Sequence, residues 1–250
     1  MPAPLLRLTF LALGFAFALA PAAPVDAPLR YCRSVAAKLK ADSDLAGAAR
    51  AAFGEPQATD DEACLYPLQL LRYADVDVLI SQDGEPGEAC HGCEADLSAT
   101  VLKRVPGGYK RLKAFPSFAK AGSHGAVASV TPIAIGGDDG MAIESGGTFQ
   151  GYTSSALDLY AFRQRGLVAL EAGAPLMIEA DNSGAESDTS KTIEVESAWS
   201  LAGGDLTIDY RVTDAHGKRD NRAVWSVGES ALTLKSGAPP KELAKAAGQE

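Results

Sequence analysis

Glycine pairs set between runs of alternating apolar and polar residues constrain this chain most, because that pattern favours hairpins. In residues 191–214, Ile193, Val195, Trp199 and Leu201 fall on one parity, and Leu206, Ile208, Tyr210 and Val212 repeat it after Gly203-Gly204. A two-residue Gly-Gly loop supplies the positive φ angles of a primed turn. Such a turn sets Trp199 opposite Ile208 on the buried side and Glu196 opposite Arg211 on the wet side, both favourable cross-strand pairs. Similar punctuation recurs at Pro106-Gly107-Gly108, across residues 136–140 and at Gln164-Arg165-Gly166. Two further strands are expected at 222–227 and 231–234. The expected fold class is mainly β, an antiparallel meander closing as a sandwich or a barrel, with one or two short N-terminal helices. No motif repeats at a fixed period, which disfavours a repeat propeller.

Residues 1–22 have the pattern of a cleaved signal peptide: Arg7, an apolar run over 8–20, then small residues with the cut expected after Ala22 or Ala18. The run is shorter than the roughly 20 apolar residues of a spanning helix. The setting of Cys32, Leu29-Arg30-Tyr31, does not fit a lipoprotein cleavage site. Residues 23–28 read as a linker, and 29–236 as a single β-rich domain with a helical lead-in over 29–54, in which helices are expected at 29–40 and 45–53. Val76, Val78 and Ile80 alternate with Asp75 and Asp77, the mark of a strand with one wet face. Residues 237–250 read as a mobile tail or one short exposed helix.

The formal charge is −9, with 23 Lys plus Arg against 32 Asp plus Glu. Loss of Arg7 with the signal would deepen it, so neither nucleic acid nor, after signal cleavage, a membrane is an expected partner. Richness in Ala, Gly and Pro with 7% aromatics fits a bacterial protein from a high-GC genome. The expected location is periplasmic or secreted.

Four cysteines, Cys32, Cys64, Cys90 and Cys93, imply disulfides in an exported chain, with three possible connectivities. Pairing Cys32 with Cys64 and Cys90 with Cys93 is preferred, because the first two bracket the helical lead-in and the last two are close in sequence. Cys90-His91-Gly92-Cys93 also has the spacing of a redox dithiol, although a strand rather than a helix is expected after it. As a metal centre, Cys90, His91 and Cys93 would need a fourth ligand such as His124, and adjacent Cys90 and His91 fit one tetrahedral ion poorly. No metal and no cofactor is expected.

The histidines are His91, His124 and His216. G-x-S-x-G, H-E-x-x-H and Walker-type signatures are absent, so no catalytic residue is assigned. Residues 146–155, Gly-Gly-Thr-Phe-Gln-Gly-Tyr-Thr-Ser-Ser, read as a long loop joining glycine freedom to aromatics and an amide. Phe149, Gln150, Tyr152 and Ser154 are its candidate ligand-binding residues. The competing reading has Phe149 and Tyr152 plugging the end of the core. The oxygen-rich run 181–188 lacks the spacing of a calcium loop. Residues 55–96 are acidic and 97–124 basic, with Lys103, Arg104, Lys110, Arg111, Lys113 and Lys120. The segments either face each other within the fold or leave a basic docking hairpin.

Cys64-Leu65-Tyr66-Pro67 with Arg72-Tyr73, then Cys90-His91-Gly92-Cys93 leading into Val101-Leu102, then Gly146-Gly147-Thr148 with Gln150-Gly151-Tyr152 resembles a group of exported bacterial proteins of uncharacterised function. The resemblance spans most of the chain beyond the signal and implies no activity. It treats the cysteine pair and the Gly-Tyr segment as one module. The expected function is a non-enzymatic binding or structural domain for a small molecule, glycan or protein partner. The alternative is a thiol- or metal-dependent protein using Cys90, His91 and Cys93.

Overall fold

The computed structural model describes residues 30–55, 57, 63–164 and 166–249. The expected signal and linker at 1–28 lie outside them. Strand accounts for 57% of the structure, in two antiparallel sheets packed as a sandwich without a closed barrel. Of the two closures that the hairpin pattern allows, the sandwich is the one adopted.

The first sheet is β1 (Leu65–Arg72), β2 (Asp77–Asp83), β3 (Ala95–Val105) and β4 (Gly108–Ala121), paired in that order. The expectations had no strand at β1, whose Pro67 lies beside a register irregularity on an edge strand, where a missing N–H is tolerated. Helices α1 (Val35–Ala41) and α2 (Ser43–Phe53) cover one face. The first helix starts later than expected, because Tyr31 bridges Leu65 and Cys32 is bonded to Cys64. The Asp42 carboxylate caps α2 by accepting from Asp44 N and Leu45 N, and Gly54 ends it at φ 92°.

Leu79 packs toward the helices while Val78 and Ile80 pack toward the second sheet. β2 is therefore covered on both faces, which corrects the expected wet face: Asp77 is fully buried. Arg72 and Arg104 lie 3.7 and 3.5 Å from its carboxylate. A buried carboxylate is tolerated when cations sit this close.

The second sheet runs β13 (Leu232–Gly237), β12 (Gly217–Val227), β11 (Asp205–Asp214), β10 (Glu194–Ala202), β9 (Met177–Asp181), β7 (Tyr152–Arg163), β6 (Asp138–Phe149), β5 (Ser129–Ile135), with β8 (Gly166–Ala169) beside β7. Met141 and Ile143 face the first sheet, whereas Ala142, Leu157 and Leu159 join a second core with Val195, Ile208, Val212 and Trp225. The sheet curls around that second core: Trp199 Nε1 donates to Glu144 Oε1 at 2.7 Å, linking β10 to β6.

The β10–β11 register matches the expected one, with Trp199 opposite Ile208 and Glu196 opposite Arg211. The Arg211 guanidinium nevertheless reaches Asp220 on β12 at 3.3 Å. The tail is not free: helix α3 (Glu242–Ala246) buries Leu243 and Ala246 in the second core. Arg219 anchors it by pairing with both Asp214 and Glu242.

The charge segregation is partly internal. Asp96 opposes Lys120 across β3 and β4, and Arg104 reaches Asp77.

Candidate functional site

Residues 146–155 are not a long loop. Gly146 pairs with Ser155, Gly147 with Ser154, Thr148 with Thr153 and Phe149 with Tyr152, leaving Gln150-Gly151 as a two-residue turn. Both turn residues have positive φ, 52° at Gln150 and 87° at Gly151. A glutamine in the left-handed region costs free energy, so the surroundings must hold it. They do so by close approach. A Cβ on Gly151 would lie 2.3 Å from the Gly184 carbonyl carbon, which places the 182–186 segment against the turn. The oxygen-rich run at 181–188 is thereby a buttress: Asn182 is buried and its Oδ1 accepts from Ile193 N at 2.7 Å.

On the other flank, the Ser123 hydroxyl donates to Gly146 O at 2.9 Å, and a Cβ on Gly147 would lie 2.6 Å from that hydroxyl. Ser123 begins the turn that carries His124, itself at φ 52°. Gly125 N donates to Cys93 O at 2.8 Å and His124 N to His91 O at 3.3 Å, so the His124 turn is laced onto the Cys90–Cys93 turn. The His91 Nε2 lies 2.5 Å from Thr148 O. A carbonyl oxygen only accepts, so that nitrogen carries the proton.

Three segments far apart in sequence thus meet on one surface. The His91 and His124 rings are 4.3 Å apart edge to face, and the Phe149 ring is 5.6 Å from His91. His91 is exposed, and Phe149 is 60% exposed, more than any other large apolar side chain among the described residues.

The four expected ligand-binding residues separate. Phe149 and Gln150 form the exposed tip. The Tyr152 ring is half-buried under the C-terminal segment, where a Cβ on Gly248 would lie 3.0 Å from it. Ser154 lies back in the ladder, between Gly147 and Ala180. The core-plug reading fails for Phe149 and describes Tyr152 better.

Sequence reasoning missed Gln82. Fully buried on β2, it donates from Nε2 to Gly125 O at 2.7 Å and to Gly84 O at 3.2 Å, holding the His124 turn from beneath. Nothing in its neighbourhood along the chain marks it, since its partner is brought near by the fold.

Both preferred disulfides are present, Cys32–Cys64 and Cys90–Cys93. β3 follows the second one at Ala95, so its sulfurs face no helix N-terminus of the thioredoxin kind. Among the described residues, the one grouping of three potential metal-donor atoms within 4.8 Å of one another is Cys32, Cys64 and Glu85; its sulfurs are held in the disulfide. No described helix is long and apolar enough to cross a membrane. Comparison with protein-family models, curated proteins and solved structures finds no match for this chain.

Proposed function

We propose that this chain is an exported, non-enzymatic binding domain, periplasmic or secreted, and that the surface formed by Phe149, Gln150 and His91 takes a glycan. One observation carries the reading. An aromatic ring that could have been buried is held outward, 60% exposed, at the tip of a hairpin buttressed on both flanks. A rigid exposed ring offers a flat apolar face at low entropic cost, and the adjacent amide and imidazole supply directional hydrogen bonds.

The surface is open, and the cavities of about 360–510 Å³ beside β7, beneath α2, on the β10–β12 face and at the 203–204 turn are lined by other residues. An extended sugar chain suits such a face better than an enclosed small molecule. Export rests on the signal pattern and on two disulfides in a chain with no free cysteine. The resemblance to exported bacterial proteins points the same way.

Titration of a panel of soluble oligosaccharides into the ¹⁵N-labelled protein tests the site. Shifts should concentrate on the amides of His91, His124 and residues 148–151. Shifts confined to another face, or none at millimolar sugar across the panel, would remove the proposal. The thiol reading is weaker, because β3 and not a helix follows Cys93, so no helix N-terminus begins at the motif to stabilise a thiolate.

A further inference from the structure

The histidine pair has a geometry that glycan binding does not require. Two imidazoles bound cis to one ion, with metal–nitrogen bonds of about 2.0–2.1 Å, put their ring centroids about 4.5–5 Å apart. The His91 and His124 centroids are already 4.3 Å apart. His91 donates its Nε2 proton to the Thr148 carbonyl, which leaves the Nδ1 lone pair available. A backbone carbonyl holding the distal N–H is the usual support of a metal-bound imidazole, fixing tautomer and ring orientation. Neither ring nitrogen of His124 makes a hydrogen bond among the described residues.

The backbone holding the rings is organised in advance. Cys90–Cys93 closes the turn on either side of His91, and the two hydrogen bonds to His91 O and Cys93 O fix the His124 turn to it. Gly125 is pressed so close to Ala89 that a Cβ there would lie 2.8 Å from the Ala89 Cβ. His124 itself keeps a left-handed backbone, φ 52°, which a non-glycine residue adopts at a cost.

We infer that His91 and His124 together form an open two-imidazole site for a late first-row divalent cation, with Cu(II) bound more tightly than Zn(II). The donor chemistry sets the class. Imidazole suits copper, nickel and zinc, the order of affinity peaks at Cu(II), and calcium and magnesium require oxygen donors. The sulfurs of Cys90 and Cys93 take no part while bonded to each other, so water completes the coordination and the ion exchanges freely. The Phe149 ring lies 5.6 Å from His91. This inference uses the same surface as the proposed glycan site but does not depend on glycan binding.

The test is titration of the oxidised full chain, purified without a histidine tag, with Cu(II), followed by calorimetry and by electron paramagnetic resonance. One equivalent should bind with a two-nitrogen signature. His91→Ala and His124→Ala should each weaken it by at least about tenfold, and Leu234→Ala, at an exposed side chain on β13 outside this surface, should leave it unchanged. Calcium should not compete. Unchanged copper affinity in the folded His91→Ala/His124→Ala double variant, or no one-to-one binding below 100 µM copper, would overturn the site. Intact copper binding with no response to oligosaccharides would remove the glycan reading alone.

Discussion

The two disulfides do different work in the same protein. Cys32–Cys64 is buried, 1% and 9% exposed, and joins the helical layer to β1 across a sequence separation of 32. Cys90–Cys93 spans a separation of 3 at the surface and closes the turn that carries His91. The first constrains a long loop of the unfolded chain, whereas the second constrains a short one. Gly84 N donating to Cys64 O, at 2.7 Å, and the Ser34 hydroxyl donating to the Glu85 carboxylate lead from one region toward the other. One bond serves the core, and the other serves a surface.

Removing the buried bond with Cys32→Ala/Cys64→Ala should therefore give the largest loss, about 3–4 kcal/mol by loop entropy. Urea unfolding checks this, and the His91, His124 and Phe149 amide shifts should stay in place at low urea. Removing the surface bond with Cys90→Ala/Cys93→Ala should cost about 2 kcal/mol or less, yet hydrogen exchange at residues 89–94 and 122–126 should speed up sharply. Equal stability losses in the two variants, or a quiet 122–126 segment in the second, would break the contrast.

A smaller effect lies where the surface segment begins. Asp83 and Asp96 face each other across β2 and β3. Burial, and then the Asp96 charge, raise the Asp83 pKa above its usual 3.8. A carboxyl raised on folding holds its proton more tightly in the native state, so its contribution to stability falls as pH rises from 3.8 through the raised value. Asp83→Asn should consequently stabilise the protein at pH 7 by a few tenths of a kcal/mol, as expected when a like-charge cross-strand pair is relieved. The gain should fade below pH 4 in thermal unfolding.

The parts that were legible in the sequence rest on local rules. Residues 194–214 declared their register because parity, turn glycines and charge pairing agreed. The helix stop at Gly54 and the preferred disulfide pairing were legible for similar reasons. What was missed depends on partners far along the chain. Asp77 looked wet because Arg72 and Arg104 join it only after the strands pair. The tail looked free because α3 has five residues and only two buried side chains, too few for a periodic signal. The 146–155 segment looked like a loop because its glycines and hydroxyls disguise a ladder, and because a turn with glutamine at positive φ is not one that sequence rules favour. Of the site, Phe149, Gln150 and the cysteine turn were identifiable. Their meeting with His124 was not, since it runs through Gln82 and Ser123, two unmarked polar residues.

The proposed glycan site requires that Phe149 be held outward for a ligand and not for the fold. The direct measurement is a paired one on Phe149→Ala: thermal unfolding, and affinity for whichever oligosaccharide shifts the wild-type amides. The expected result is an unfolding free energy within about 0.5 kcal/mol of wild type, as for an exposed side chain, together with loss of most of the sugar affinity. A variant that unfolds markedly more easily, or one that binds the sugar as wild type does, would contradict it.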